Sequence, residues 1–169
     1  VNPFIYVKYS ELEMKRQNYG NVEKLLNDAL KVSDKYYPTF LKLAELFIIN
    51  GDYGKGERYL EKALKADSSA VEIYLEMSQL YLERGRIKTS LKVLDRAFEK
   101  DPNNYKVYVT AGNYYSYLYS RIQRDPEYLK KALKNYERSI ELGKYEPDAY
   151  TAYADFLIEA YKTGAANTF

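Results

Sequence analysis

Residues 94–104 read LDRAFEKDPNN, residues 60–70 read LEKALKADSSA and residues 26–36 read LNDALKVSDKY, one phrase written three times at an interval of 34. A fixed interval between 20 and 50 residues marks a chain made by repeating one supersecondary unit. Other columns obey the same interval. Tyr6, Phe40, Tyr74 and Tyr108 are all aromatic, and Tyr9, Leu43, Met77 and Ala111 follow three residues after each. Ser10, Ala44, Ser78 and Gly112 are all small, while Leu26, Leu60 and Leu94 and then Ala29, Ala63 and Ala97 recur in the second half of the unit.

Each unit carries two helical patterns. Tyr74, Met77, Ser78 and Tyr81 fall at i, i+3, i+4 and i+7, one stripe of an amphipathic helix. Gly85 breaks it, as Gly51 does one unit earlier. Ile87, Leu91, Leu94, Ala97 and Phe98 make the stripe of a second helix, which Pro102 closes and after which Asn104 caps the next. Small residues at Ser78, Ser90 and Ala97 let the two helices approach closely. A two-helix unit of this length cannot bury its apolar face alone, so the units must stack end to end.

Composition narrows the functions open to such a chain. Of its 169 residues 46% are apolar and 30% charged, which suits an ordered protein, and a net charge of +2 argues against a dedicated nucleic-acid binder. Cysteine and histidine are absent, which removes thiol nucleophiles, disulfides, the usual zinc sites and the ordinary neutral-pH base. No cofactor or metal is expected. The glycines of GDYGKGE (51–57) lack the spacing of a phosphate loop, and the carboxylate pairs Glu11/Glu13 and Glu57/Glu61 lie on amphipathic helices without a cleft, so no enzyme activity is expected. No apolar run reaches the roughly 20 residues of a membrane span. The compartment is not fixed; a cytoplasmic setting is slightly favoured over a processed or anchored form.

The pattern resembles the tetratricopeptide repeat (TPR) family. Its order of aromatic, apolar, small, aromatic, glycine, alanine, aromatic or leucine, alanine, proline is matched in 71–104 by Tyr74, Met77, Ser78, Tyr81, Gly85, Ser90, Leu94, Ala97 and Pro102, and in 37–70 by Phe40, Leu43, Ala44, Phe47, Gly51, Gly56, Leu60 and Ala63, with Ser68 where proline is usual. The resemblance implies an all-α, right-handed TPR solenoid of stacked antiparallel helix pairs. A single array over 1–169 then has units at about 3–36, 37–70, 71–104 and 105–146 and a terminal helix at 147–162. Unit 3–36 departs from the pattern, with Glu13 in an aromatic column and Gln17 in the glycine column. Unit 105–146 carries eight extra residues within SYLYSRIQRDPEYLKK (116–131), because Tyr115 and Ala132 stand seventeen apart where Tyr81 and Ser90 stand nine apart. Asp125 and Pro126 read as a cap and a first helical position, so the first helix there is expected to run about two turns longer.

Family resemblance also implies a function. First helices of TPR units line a concave groove that holds extended or helical peptides. The residues facing it are expected at Val7, Leu41, Leu75 and Val109, at Glu11, Glu45, Gln79 and Asn113, and at Met14, Ile48, Leu82 and Ser116, with Tyr117 beside the last. As pure structure the aliphatic rows pack between neighbouring first helices; as function they form a track for one face of a partner. Tyr114, Tyr117 and Tyr119 are read equally as local packing or ligand contact. Chaperone-binding members grip a C-terminal carboxylate with cationic side chains, but the matching places hold Val7, Glu11, Glu45, Glu72 and Glu76, or one unit along Leu41, Glu45, Gln79, Lys106 and Thr110, so that role is rejected. The expected partner is a protein or peptide with apolar residues, and the glutamates favour basic ones in it. The expected function is an adaptor or assembly scaffold. The alternatives are a homo-oligomer joined through 147–162 and a regulatory segment of a larger enzyme.

Overall fold

A computed structural model describes residues 2–162. Among them the ordered elements are all helical: α1 (Pro3–Lys15), α2 (Tyr19–Val32), α3 (Tyr37–Ile49), α4 (Tyr53–Ala66), α5 (Val71–Glu83), α6 (Ile87–Lys100), α7 (Tyr105–Tyr117), a π turn (Leu118–Ile122), α8 (Pro126–Leu142) and α9 (Pro147–Lys162). No described helix is long and apolar enough to cross a membrane. The chain divides into two compact units, Val1–Leu80 and Tyr81–Phe169.

In the first unit α1 packs on α2, α3 packs on α4, and both α1 and α2 contact α3. Val7, Val22, Leu26, Leu43 and Leu46 form the core between them, and Met14, Tyr19, Phe47 and Tyr59 pack against it. The small columns do the work expected of them. Ser10 and Ala44 are buried at the helix contacts, and a Cβ placed on Gly56 would stand 2.6 Å from Ile48 Cγ1.

Three hairpin turns share one backbone device. Gln17, Gly51 and Gly85, each 34 apart, have φ of 59°, 78° and 67°. In each turn the next amide donates to the carbonyl five residues back: Asn18 to Glu13 at 3.0 Å, Asp52 to Phe47 at 2.8 Å, and Arg86 to Tyr81 at 2.8 Å. This is the Schellman closure, which satisfies carbonyls left open at a helix end. Glutamine in the left-handed region costs about 1 kcal/mol that glycine would not. Gln17→Gly is therefore expected to stabilise the protein by about 0.5–1 kcal/mol, the larger backbone entropy of unfolded glycine offsetting part of the gain. A thermal melt of the variant checks the direction.

Glu13, the other departure in the first unit, is 4% exposed. Its carboxylate accepts from Asn18 Nδ2 at 2.7 Å, Asn21 Nδ2 at 2.9 Å and Arg16 at 2.9 Å. A polar knot thus replaces the ring that Phe47 and Tyr81 supply in the next two units. The Asn21 hydrogen bond, then that of Arg16, holds the Glu13 carboxyl below its ordinary range. A depressed folded pKa means stability that is present above the unfolded glutamate value of about 4.3 and disappears as pH falls through the folded value. Acid melts should show this limb in the parent, and Glu13→Gln should flatten it. A parent and variant that lose stability in parallel below pH 4.5 would exclude Glu13 as its source.

The second unit stacks α6 on α7, α7 on α8, and α9 on both α7 and α8. Leu129, Ala132, Tyr136, Phe156 and Ala160 are its core. Tyr136 lies 4.9 Å from the Phe156 ring and 6.2 Å from that of Tyr153, and its hydroxyl donates to Asn113 Oδ1 at 2.6 Å. Burial pushes the Tyr136 phenol well above the usual tyrosine range. At the start of α7, Tyr105 donates to the Asp148 carboxylate at 3.0 Å and thereby ties α7 to α9.

Tyrosine at the first aromatic column has a further purpose. Tyr74, Tyr108 and Tyr150 each donate from the hydroxyl to the carbonyl six residues earlier, Ser68, Pro102 and Lys144, at 2.8–3.0 Å. In each case the hydroxyl pins the loop that enters the helix.

The eight extra residues of 105–146 are distributed differently from expectation. Like α1, α3 and α5, α7 is thirteen residues long, so the first helix gains no two α turns. Five of the residues form the π turn, closed by Gln123 N–H to Leu118 C=O at 2.9 Å, and three lengthen the start of α8. Asp125 caps α8 through Glu127 N–H at 2.9 Å, and Pro126 opens it. The cap fixes where α8 must start, and the wide turn takes up the remaining slack.

Candidate partner-binding face

The stripe of α1 that packs on α2 leaves Glu11 and Met14 turned toward α3, whose Lys42 and Glu45 face them. These four residues and Lys15 line a cleft of 280 Å³ in the first unit. Met14 is half-buried against the core and supplies an apolar floor. The walls are charged. Lys42 Nζ lies 2.7 Å from Glu45 and 3.9 Å from Glu11, while Lys8 Nζ lies 2.9 Å from Glu11. The glutamate row is thus interleaved with lysines and is not a plain acidic strip. Exposed pairs of this kind contribute little to stability, so either partner can be exchanged for a ligand group.

Other residues placed on this face by the repeat register have varied surroundings. Val7, Leu75 and Leu82 are 3%, 9% and 3% exposed, which puts them in the interior. Leu41 is half-buried, and Ile48 is half-buried over Gly56 at the α3–α4 contact. Gln79 and Val109 are half-buried as well. The amide of Asn113 is held by the Tyr136 hydroxyl. Tyr117 is half-buried at the last turn of α7. Ser116 lines a separate cavity of 150 Å³ within the second unit, together with Tyr119, Ser120, Arg124, Leu129, Phe156, Glu159 and Ala160. Of the tyrosine cluster, Tyr114 is buried edge-on against Tyr115 and Tyr119 packs against the core.

Glu11, Met14 and Glu45 are therefore brought together, with Lys15 and Lys42, which the register did not select. Lys42 stands one residue past Leu41, and its opposite charge between two glutamate rows is the signal that points to it. Among the described residues no group of three or more His, Cys, Asp or Glu side chains could hold a metal ion.

A family model described as "Tetratricopeptide repeat" matches residues 47–111. Among curated proteins none matches the sequence. Among solved structures the chain is similar to PilW, a widely conserved type IV pilus biogenesis factor, at 20% identity over 96% of this chain and 71% of that one, with a TM-score of 0.72. It is similar to human IFIT1 at 18% identity over 98% of this chain and 40% of that one, with a TM-score of 0.73. It is also similar to YrrB, a TPR protein with an unusual peptide-binding site, at 16% identity over 97% of this chain and 79% of that one, with a TM-score of 0.55. The fold is the all-α TPR solenoid of antiparallel helix pairs.

Proposed function

We propose, from the premise that this chain belongs to the tetratricopeptide-repeat family, that it is a protein-interaction scaffold holding a partner polypeptide on the first-helix face. The observation that carries this reading is the cleft between α1 and α3, where half-buried Met14 floors a space walled by exchangeable ion pairs. Apolar surface buried over Met14 contributes about 25 cal/mol per Å² before ordering costs, and the ion-paired walls add register and on-rate. The preferred segment is a helix or extended strand with apolar anchors and lysine or arginine beside them, which would take Glu11 and Glu45 from Lys42. In the neighbouring TPR structure of YrrB a peptide-binding site is named, and peptide binding here is the analogous use of the fold.

Display of a randomised peptide library against the full chain tests the reading. Selected peptides are expected to bind at micromolar Kd, and Met14→Glu is expected to weaken them at least tenfold while helical circular dichroism and Tm hold. Glu45→Lys should slow association several-fold, an effect that shrinks with added salt. Binders indifferent to Met14→Glu would refute the cleft.

A second reading, self-association, draws on α9, whose Leu157, Ile158 and Tyr161 are 39%, 52% and 80% exposed. Light scattering across a concentration series separates it: a monomer at every concentration excludes it.

A further inference from the structure

We propose that the second unit contains an anchor pocket for one aromatic side chain of a partner peptide, walled in part by the π turn that unit 105–146 adds to the repeat. The inference rests on the scaffold reading only in taking a polypeptide as the ligand. The pocket itself lies apart from the α1–α3 cleft and has a different lining.

Its size is the first argument. A volume of 150 Å³ is the space in which an apolar cavity accepts a benzene ring. Its floor is the second. Leu129, Phe156 and Ala160 are 2%, 5% and 4% exposed and belong to the unit's core, so an inserted ring meets side chains already locked in place. Phe156 is held by Tyr136 at 4.9 Å, and Tyr119 packs on the same core as a wall. Little has to be ordered on binding, which is the condition for a useful anchor.

The rim decides the chemical class. Two hydroxyls, Ser116 and Ser120, one cation, Arg124, and one anion, Glu159, surround the apolar floor. A net-anionic or net-cationic head group would meet one rim charge of its own sign. A peptide main chain carries both donors and acceptors and suits the two hydroxyls and the guanidinium. A ring for the floor and a main chain for the rim together describe an aromatic residue within a peptide.

The construction is specific to this unit. Tyr119 and Ser120 belong to the π turn, a segment that the other described hairpins lack, while Arg124 stands in the three-residue connector that all of them share. Single-turn π segments are frequent at functional sites. Buried Leu118 fixes the turn, so Tyr119 and Ser120 are presented by a defined backbone.

The test uses the full chain and a defined probe, N-acetyl-phenylalanine methylamide, followed by ¹H–¹⁵N and methyl NMR. Shifts are expected at Ser116, Tyr119, Leu129 and Ala160 with a Kd of about 1 mM, as suits a ligand of this size. The alanine analogue should bind at least tenfold more weakly. Ser116→Leu, which fills the mouth from α7, should abolish the shifts, and Arg124→Ala, at an exposed position, should weaken binding several-fold without touching the core. Phenylalanine and alanine probes that bind equally, a probe that gives no shifts at 20-fold its expected Kd, or one still bound by both variants would each overturn the proposal. Probe binding that survives Ser116→Leu but is lost in Met14→Glu would move the ring to the α1–α3 cleft, overturning the pocket and leaving the scaffold reading intact. Binding at the pocket with no library peptide sensitive to Met14→Glu would confirm the pocket and defeat the cleft.

Discussion

Replacing Tyr136 by alanine is expected to remove about 4 kcal/mol of stability, and to lower Tm by about 10 °C. The ring is 2% exposed and packs against Phe156 and Tyr153 while its hydroxyl holds Asn113, so truncation opens a cavity and removes a hydrogen bond at once. Gly112 makes the experiment more discriminating. A Cβ on Gly112 would lie 2.7–2.9 Å from three atoms of the Tyr136 ring, which is buried against Phe156 and has little room to retreat. Gly112→Ala alone should therefore cost about 1–3 kcal/mol despite its better helix propensity. In the Tyr136→Ala background the obstacle is gone, and the same change should be neutral or stabilising by about 0.5–1 kcal/mol. Urea melts of the four proteins give the coupling, expected at about 1–4 kcal/mol. An equal cost for Gly112→Ala in both backgrounds would show that the ring is not what excludes the methyl group.

Leu41→Glu and Leu75→Glu should separate by about 2 kcal/mol or more, although the two residues occupy the same column of neighbouring repeats. Leu75 is 9% exposed, and a carboxylate there loses most of its water, a change expected to cost at least about 3 kcal/mol. Leu41 is half-buried, so its glutamate can reach solvent and should cost about 1 kcal/mol or less. Loss of partner binding in Leu41→Glu then reports on the interface, while loss in Leu75→Glu reports on folding. Equal melting temperatures for the two variants would return Leu75 to the accessible row.

These contrasts mark how far the sequence could be read. The 34-residue columns gave the helix pairs and the small residues at their crossings, because packing between helices is what the repeat preserves. They also gave the α8 cap at Asp125 and Pro126, which is a local signal. Glu13 and Gln17 looked like defects. Their remedies, amide donors at Asn18 and Asn21 and a left-handed turn closed by backbone hydrogen bonds, follow from three-dimensional placement, which columns do not record. The binding face was legible only in register. Val7, Leu75 and Leu82 share their rows with Leu41, Ile48 and Met14, yet burial depends on what lies across each helix and differs from unit to unit. Lys42 lies one residue off the rows that the repeat register defines, so register alone does not mark it. Nor does it mark the π turn, because eight added residues fix a length and leave the path undetermined.

Tyr74, Tyr108 and Tyr150 each close a ring of chain only six residues around. Closure over so short a span sacrifices little chain freedom, so these ties can form before distant partners have met. They lower the contact order of the array, and chains dominated by near-neighbour contacts fold quickly. Phenylalanine at these three positions would retain the rings yet delay assembly, a kinetic signature that stopped-flow refolding could resolve even where equilibrium melts barely move.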